Sequence, residues 1–261
     1  MHTLRSACVC AVAILVVGGW ARADFLLFNE NFDSMGASGT SPPSGWTVGG
    51  LNPVTNQDPT NGNTRPITAA QLVVDNGSTN GDPNGISYNY GSTGSSDRAL
   101  GNIPKTTQGD RVMQVAITNN TGYTLDSITI SYWGEQWRQG QCTPPSGQPE
   151  KLRVYYSTTS ATGGYIRINQ LDFFAPQTDP ANADRPLDGN AAANRTYLTS
   201  GALATTIAPG AKFYIRWYDQ NDLNTRDHGL AIDDVQVTGT PEPAAIGLMG
   251  LGITAMLRRR R

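Results

Sequence analysis

The sequence predicts an all-β protein, two antiparallel sheets packed as a sandwich, with a jelly roll as the expected topology. Three observations point there. Short runs rich in β-branched and aromatic residues alternate apolar with polar positions, the period of a half-buried strand. Connectors dense in Gly, Pro, Asn and Asp separate them, such as SPPSG at 41–45 and DNGSTNGDPNG at 75–85. No stretch carries a sustained helical stripe, and no long period repeats.

Taken in order, about nine strands are expected. FLLFNENF at 25–32 opens the body, and QLVV at 71–74 follows. RVMQVAIT at 111–118 and SITISYWGEQW at 127–137 are the clearest central strands. KLRVYYS at 151–157, residues 165–172 and residues 196–200 come next. KFYIRWY at 212–218 sets Phe213, Ile215 and Trp217 on one face against Tyr214, Arg216 and Tyr218 on the other. LAIDDVQVT at 230–238 closes the body. Residues 36–62 and 77–96 read as long loops of limited order.

The two ends differ from this pattern. Arg5 precedes an apolar run over 7–19, and Ala21-Arg22-Ala23 has the small-x-small form that signal peptidase accepts. Residues 1–23 therefore read as a signal helix removed after Ala23. Cys8 and Cys10 lie too early for a lipoprotein leader. At the other end, the fourteen residues 244–257 would span roughly 21 Å as a short apolar helix, against a hydrocarbon core of roughly 30 Å. Arg258, Arg259, Arg260 and Arg261 would stay on the cytoplasmic side, leaving the body outside the inner membrane.

Pro241-Glu242-Pro243, a short apolar segment and terminal arginines together resemble the PEP-CTERM sorting signal of Gram-negative bacteria. The resemblance implies handling by an exosortase that cuts near Pro-Glu-Pro. It implies anchoring at the inner membrane at least transiently, then residence at the cell surface or in the extracellular matrix. An ordinary tail anchor is the other reading of the same residues. The domains expected are thus 1–23, a body at 24–239 and a tail at 240–261.

The whole chain carries 19 basic and 21 acidic residues. Arg5, Arg22 and the four terminal arginines lie in the removable ends, so the body is distinctly acidic. That argues against nucleic-acid binding and suits cation binding or solubility. Two of the three cysteines fall in the leader, so Cys142 has no partner for an intrachain disulfide in the mature body. The body also resembles MAM-like and carbohydrate-binding-module-like jelly rolls. The likeness rests on Phe28-Asn29-Glu30-Asn31-Phe32-Asp33 with Gly45-Trp46, and on the Ile232-Asp233-Asp234-Val235 ending. No activity follows from it.

Candidate chemistry is sparse. His228 is the one histidine outside the leader, so a multi-histidine zinc site is excluded. There is no GxSxG elbow and no nucleotide loop. His228 reads as a locally hydrogen-bonded loop residue. Trp133, Glu135 and Trp137 fall on one strand face. They would make a sugar-stacking surface, with Tyr214 and Tyr218 as a second one, or else core residues with Glu135 paired to Arg216 or Arg138. Only one acid lies on that strand, whereas a glycosidase needs two. Glu30 and Asp33 on the first strand and Asp233 and Asp234 on the last would converge if those strands pair. A structural calcium ion would relieve their repulsion, unless they cap turns or face solvent. Asp219, Asp222, Asn224 and Asp227 form a second acidic run without the EF-hand order.

The expectation is a non-enzymatic, exported surface or matrix protein, associated with exopolysaccharide. A carbohydrate-binding module is the alternative, and a glycan-active hydrolase a more distant one.

Overall fold

The structure, a computed structural model, describes residues 23–51, 67–79, 87–104, 109–141, 149–179, 181, 184–221 and 226–242. The expected signal helix, the C-terminal helix, Ala21, Cys142, Asp222, Asn224, Pro243 and the terminal arginines lie outside them. Among the described residues no helix is long and apolar enough to cross a membrane.

The body is a two-sheet sandwich, as the alternating runs predict. Strands are numbered in chain order. The first sheet has nine strands. Its path runs β12 (Arg185–Pro186), β8 (Leu125–Gln139), β16 (Gly229–Pro241), β6 (Ala99–Asn102), β5 (Ser87–Tyr90), β4 (Leu72–Asp75). On this sheet β1 (Phe25–Glu30) also pairs with β16, while β13 (Arg195–Thr199) and β14 (Leu203–Ile207) pair with β8. The second sheet has seven strands. Its path is β10 (Ile166–Arg167), β9 (Lys151–Ser157), β15 (Lys212–Asp219), β7 (Arg111–Thr118), β2 (Trp46–Leu51), β3 (Ile67–Ala69), with β11 (Phe173–Phe174) beside β9. Only β4 and β5 pair in parallel among the described residues. The chain crosses between sheets repeatedly, most regularly from β6 through β7 and β8 to β9 and from β14 through β15 to β16, so these strands alternate between the two layers.

That core is built by alternation. β8 turns Ile128, Ile130 and Tyr132 inward, and β15 turns Phe213, Ile215 and Trp217 to meet them. Trp217 packs on Trp46 at 5.5 Å and edge-on to Tyr132 at 5.6 Å, tying three strands together.

β16 departs from simple alternation. Leu230 and Ile232 are inward, and so are Val235 and Val237. The phase changes because the pairing with β8 jumps from Asp233↔Trp133 to Gln236↔Ser131, leaving one extra residue on β16. This is a β-bulge, with Asp234 at φ 47°. Asp tolerates that left-handed conformation better than a bulky residue does. The other edge of β16 changes partner at the same point, from β6 at 230–232 to β1 at 235–239.

Several expected boundaries need correction. The supposed loop at 36–62 contains β2, and the one at 77–96 contains β5. β3, β6 and β14 are further strands, and residues 165–172 are mostly a 3-10 turn at Asn169–Leu171 rather than one strand. The missed strands are short or rich in small residues. In β6 the small residues are required: a Cβ on Gly101 would lie 2.6 Å from the Leu230 carbonyl oxygen.

Candidate functional site

The polar groups brought together by the fold sit on the outward face of the first sheet, around the β16 bulge. Register places them. Tyr197 lies opposite Trp133 and Arg195 opposite Glu135 on β13 and β8. Asp233 lies opposite Trp133 and Ala231 opposite Glu135 on β16 and β8. Glu135 and Asp233 are therefore diagonal neighbours, a separation of about 7–8 Å between backbones. The second acid that sequence spacing along β8 could not supply comes from the neighbouring strand.

Glu135 is buried. Its Oε2 accepts the indole N–H of Trp137 at 2.8 Å. Its Oε1 faces the Arg195 guanidinium at 4.0 Å. Burial pushes its pKa up to about 7, against the pull of the Trp137 hydrogen bond, with Asp97 adding and Arg195 opposing. Asp233 is pushed up to about 9, by burial first and then by the charge of Glu135. Asp234 is raised as well, by burial and by Asp97 and Asp33. Burial thus disfavours the charged form of both carboxyls, and both lie beneath the surface of the sheet.

What is accessible is an aromatic–cationic patch. Tyr197 is 52 % exposed and Trp133 half-buried. Their rings are 5.5 Å apart and inclined at 60°. The Arg195 guanidinium covers Trp133 at 4.4 Å, a cation–π contact. Sequence reasoning missed Arg195 and Tyr197. The alternation in RTYLT puts them on one face, but only the pairing of β13 with β8 sets them beside Trp133.

The expected pair of tryptophans is corrected. Trp137 is buried, stacked on Tyr90 at 5.8 Å and 2°. Gly189 closes over it, since a Cβ there would fall 2.2 Å from the indole nitrogen. It offers no ring face to a sugar. Glu135 meets Arg195, not Arg216 or Arg138. Arg138 donates to the Gly77 carbonyl at 3.1 Å and pairs with Asp184 at 3.4 Å. Arg216 donates to Gln114 at 2.9 Å and lies over the Tyr165 ring at 4.2 Å.

The second expected stacking surface is corrected too. Phe213, Ile215 and Trp217 do face the core. On the other face of β15, however, Tyr218 is buried and donates its hydroxyl to Asp110 at 2.5 Å. Only Tyr214 remains half-buried.

The first and last strands pair as expected, and three of the four carboxylates accept hydrogen bonds within the chain. Glu30 Oε1 accepts the Phe32 N–H at 2.9 Å. Asp33 accepts the Arg98 N–H at 3.2 Å and an Asn31 amide hydrogen at 2.7 Å. Asp233 accepts the Asp234 N–H at 2.7 Å. Among the described residues no three His, Cys, Asp or Glu side chains form a group that could hold a metal ion. His228 lies in the connector just before β16, as expected of a loop residue, but it is buried and its contact is distant in sequence. Its Nδ1 accepts the Gly140 N–H at 2.9 Å, and burial lowers its pKa to about 4.

The chain matches no curated protein. Among solved structures it is similar to the K3 cleaved adhesin domain of Lys-gingipain from Porphyromonas gingivalis, at 13% identity and a TM-score of 0.39, covering 83% of this chain and 99% of that one. It is similar to a Stig cyclase from Fischerella sp. TAU, at 14% identity and a TM-score of 0.40, covering 84% and 99%. A carbohydrate esterase from the Shiga toxin-encoding bacteriophage phi24B gives 14% identity and a TM-score of 0.36, covering 83% and 99%. Residues 240–261 match the PEP-CTERM protein-sorting motif, which marks the chain as an exported protein sorted by an exosortase and held at the membrane transiently.

Proposed function

We propose that the protein is a non-enzymatic component of the cell surface or extracellular matrix, released there after sorting and associated with extracellular polysaccharide. The sorting motif at residues 240–261 carries the reading. Burial supports the non-enzymatic part. Glu135, Asp233 and His228, the groups with shifted pKa values nearest to a catalytic role, are each withdrawn from solvent.

Intact mass and location of the protein in its host, with and without residues 240–261, test this reading. Loss of the tail with release of the body outside the cell is the expected result. A mature protein retaining Arg258 to Arg261 in the inner membrane would make the tail a plain anchor.

The patch of Tyr197, Trp133 and Arg195 favours a more specific second reading, in which the body binds polysaccharide. Eight residues of β8 separate Trp133 from Leu125, beside which the tail leaves the sheet. At about 3.3 Å per residue this sets the patch about 26 Å along the strand from that corner. Tyr197→Ala should weaken retention on the host's own exopolysaccharide by about tenfold, the loss of one stacking contact of about 1.4 kcal/mol. Unchanged retention would remove this reading and leave the first intact.

A further inference from the structure

The sorting motif does not begin where the fold ends. β16 runs to Pro241, the first proline of the motif. Pro241 pairs with Leu125 and Thr240 with Ser127 on β8. The Glu242 N–H donates to the Thr124 carbonyl at 3.0 Å. On the opposite edge Thr240 Oγ1 donates to Asp24 Oδ1 at 2.7 Å, and β1 begins its pairing at Phe25↔Gly239. Phe25 stacks on Tyr123 at 5.7 Å and 9°, closing the corner from β1 to the turn before β8. Pro241 is buried and Glu242 half-buried.

Enzymes that cut or transfer a peptide bond take their substrate as a freed segment. A segment paired in a sheet reaches them through local opening. We propose that the folded sandwich shelters Pro241 and Glu242, so that an enzyme acting there acts on a chain whose last strand has frayed from about Thr240 outward. The fraying equilibrium of this corner then sets the rate of processing. Asp24 becomes the first residue of the body if the leader is cut after Ala23, so the Asp24–Thr240 bond joins the two ends at which the chain is trimmed. The inference rests on reading the tail as enzymatically sorted, but the shelter itself can be measured without the sorting enzyme.

The test uses the full chain with Cys142→Ser throughout. Ser127→Cys with Thr240→Cys joins direct cross-strand partners, whose Cα spacing of about 4.5–5.5 Å suits a disulfide. Thr240→Val alone removes the bond to Asp24. The first readout is release of the peptide beginning at Glu242 by a proline-specific endoprotease, on protein purified in detergent. The second is tail loss by intact mass in the host. The oxidised double variant should release the peptide at least tenfold more slowly than the parent, and reductant should raise release to the rate of Thr240→Val, since the reduced variant also lacks the bond to Asp24. Thr240→Val should release it severalfold faster with an unchanged melting temperature. Tail loss in the host should follow the same order. Equal release from oxidised, reduced and parent protein would overturn the proposal, as would tail loss at the parent rate from the cross-linked protein in the host. Should no variant lose its tail in the host while the endoprotease series holds, the sorting reading fails and the shelter stands.

Discussion

Asp233 and His228 are buried ionisable groups whose charge costs run in opposite directions with pH. A carboxyl whose pKa rises on folding binds its proton more tightly in the folded chain. Its stabilising contribution is full below the unfolded value of 3.8 and is lost as pH climbs through about 9. Asp233→Asn keeps the size and removes the ionisation. Its melting temperature should gain on the wild type steadily from about pH 4 to about pH 9; a constant difference across that window would contradict the assignment. His228 has a lowered pKa, so its contribution is full above 6.5 and lost as pH falls through about 4. His228→Asn retains an acceptor for the Gly140 N–H. It should show less acid destabilisation between those values than the wild type, read by melting at each pH. At this scale the sequence exposed the residue types but not their state. Nothing local to Asp233 indicates that Glu135, roughly a hundred positions earlier, lies diagonally across from it.

At the level of the element, β8 shows how much one strand can be asked to do. Its inward residues fill the core, while its outward residues hold Trp133, Glu135 and Trp137. The alternation separated the two faces in advance, but not which of them is the core. Gly134 was not legible as a structural requirement, yet a Cβ there would sit 2.3 Å from the Phe173 ring. Gly134→Ala should therefore destabilise the fold by about 1–3 kcal/mol, the cost of overpacking a close contact, measured by denaturant unfolding. β16 shows the reverse case. Its pattern reads as a plain strand, but the bulge at Asp233 and Asp234 changes which residues face inward halfway along. A bulge is a mismatch with a partner strand, so it is a property of the pair and not of either sequence alone.

Over the whole molecule, stability rests on the aromatic contact between sheets. Trp217 joins Trp46 on its own sheet to Tyr132 on the other. Trp217→Ala should cost about 3–5 kcal/mol and lower the melting temperature of the body as a single transition. Outside this core, each sheet carries a smaller cluster on its outer face, one around Trp137, Tyr88 and Tyr90, the other around Tyr155, Tyr165 and Tyr218. Those clusters account for most of the misread site residues, because a strand face that alternates away from the main core was expected to be open. The sequence by itself determined the all-β class, the division of β8 and β15 into two faces and the sorting tail. Each follows from local periodicity or from a contiguous motif. Tertiary structure alone decided that Trp137 and Tyr218 are covered, that Arg195 and Tyr197 join Trp133, that Asp233 meets Glu135, and that the sorting motif begins inside the sheet. These depend on which strands pair and in what register, contacts between residues far apart in the chain that no local pattern records.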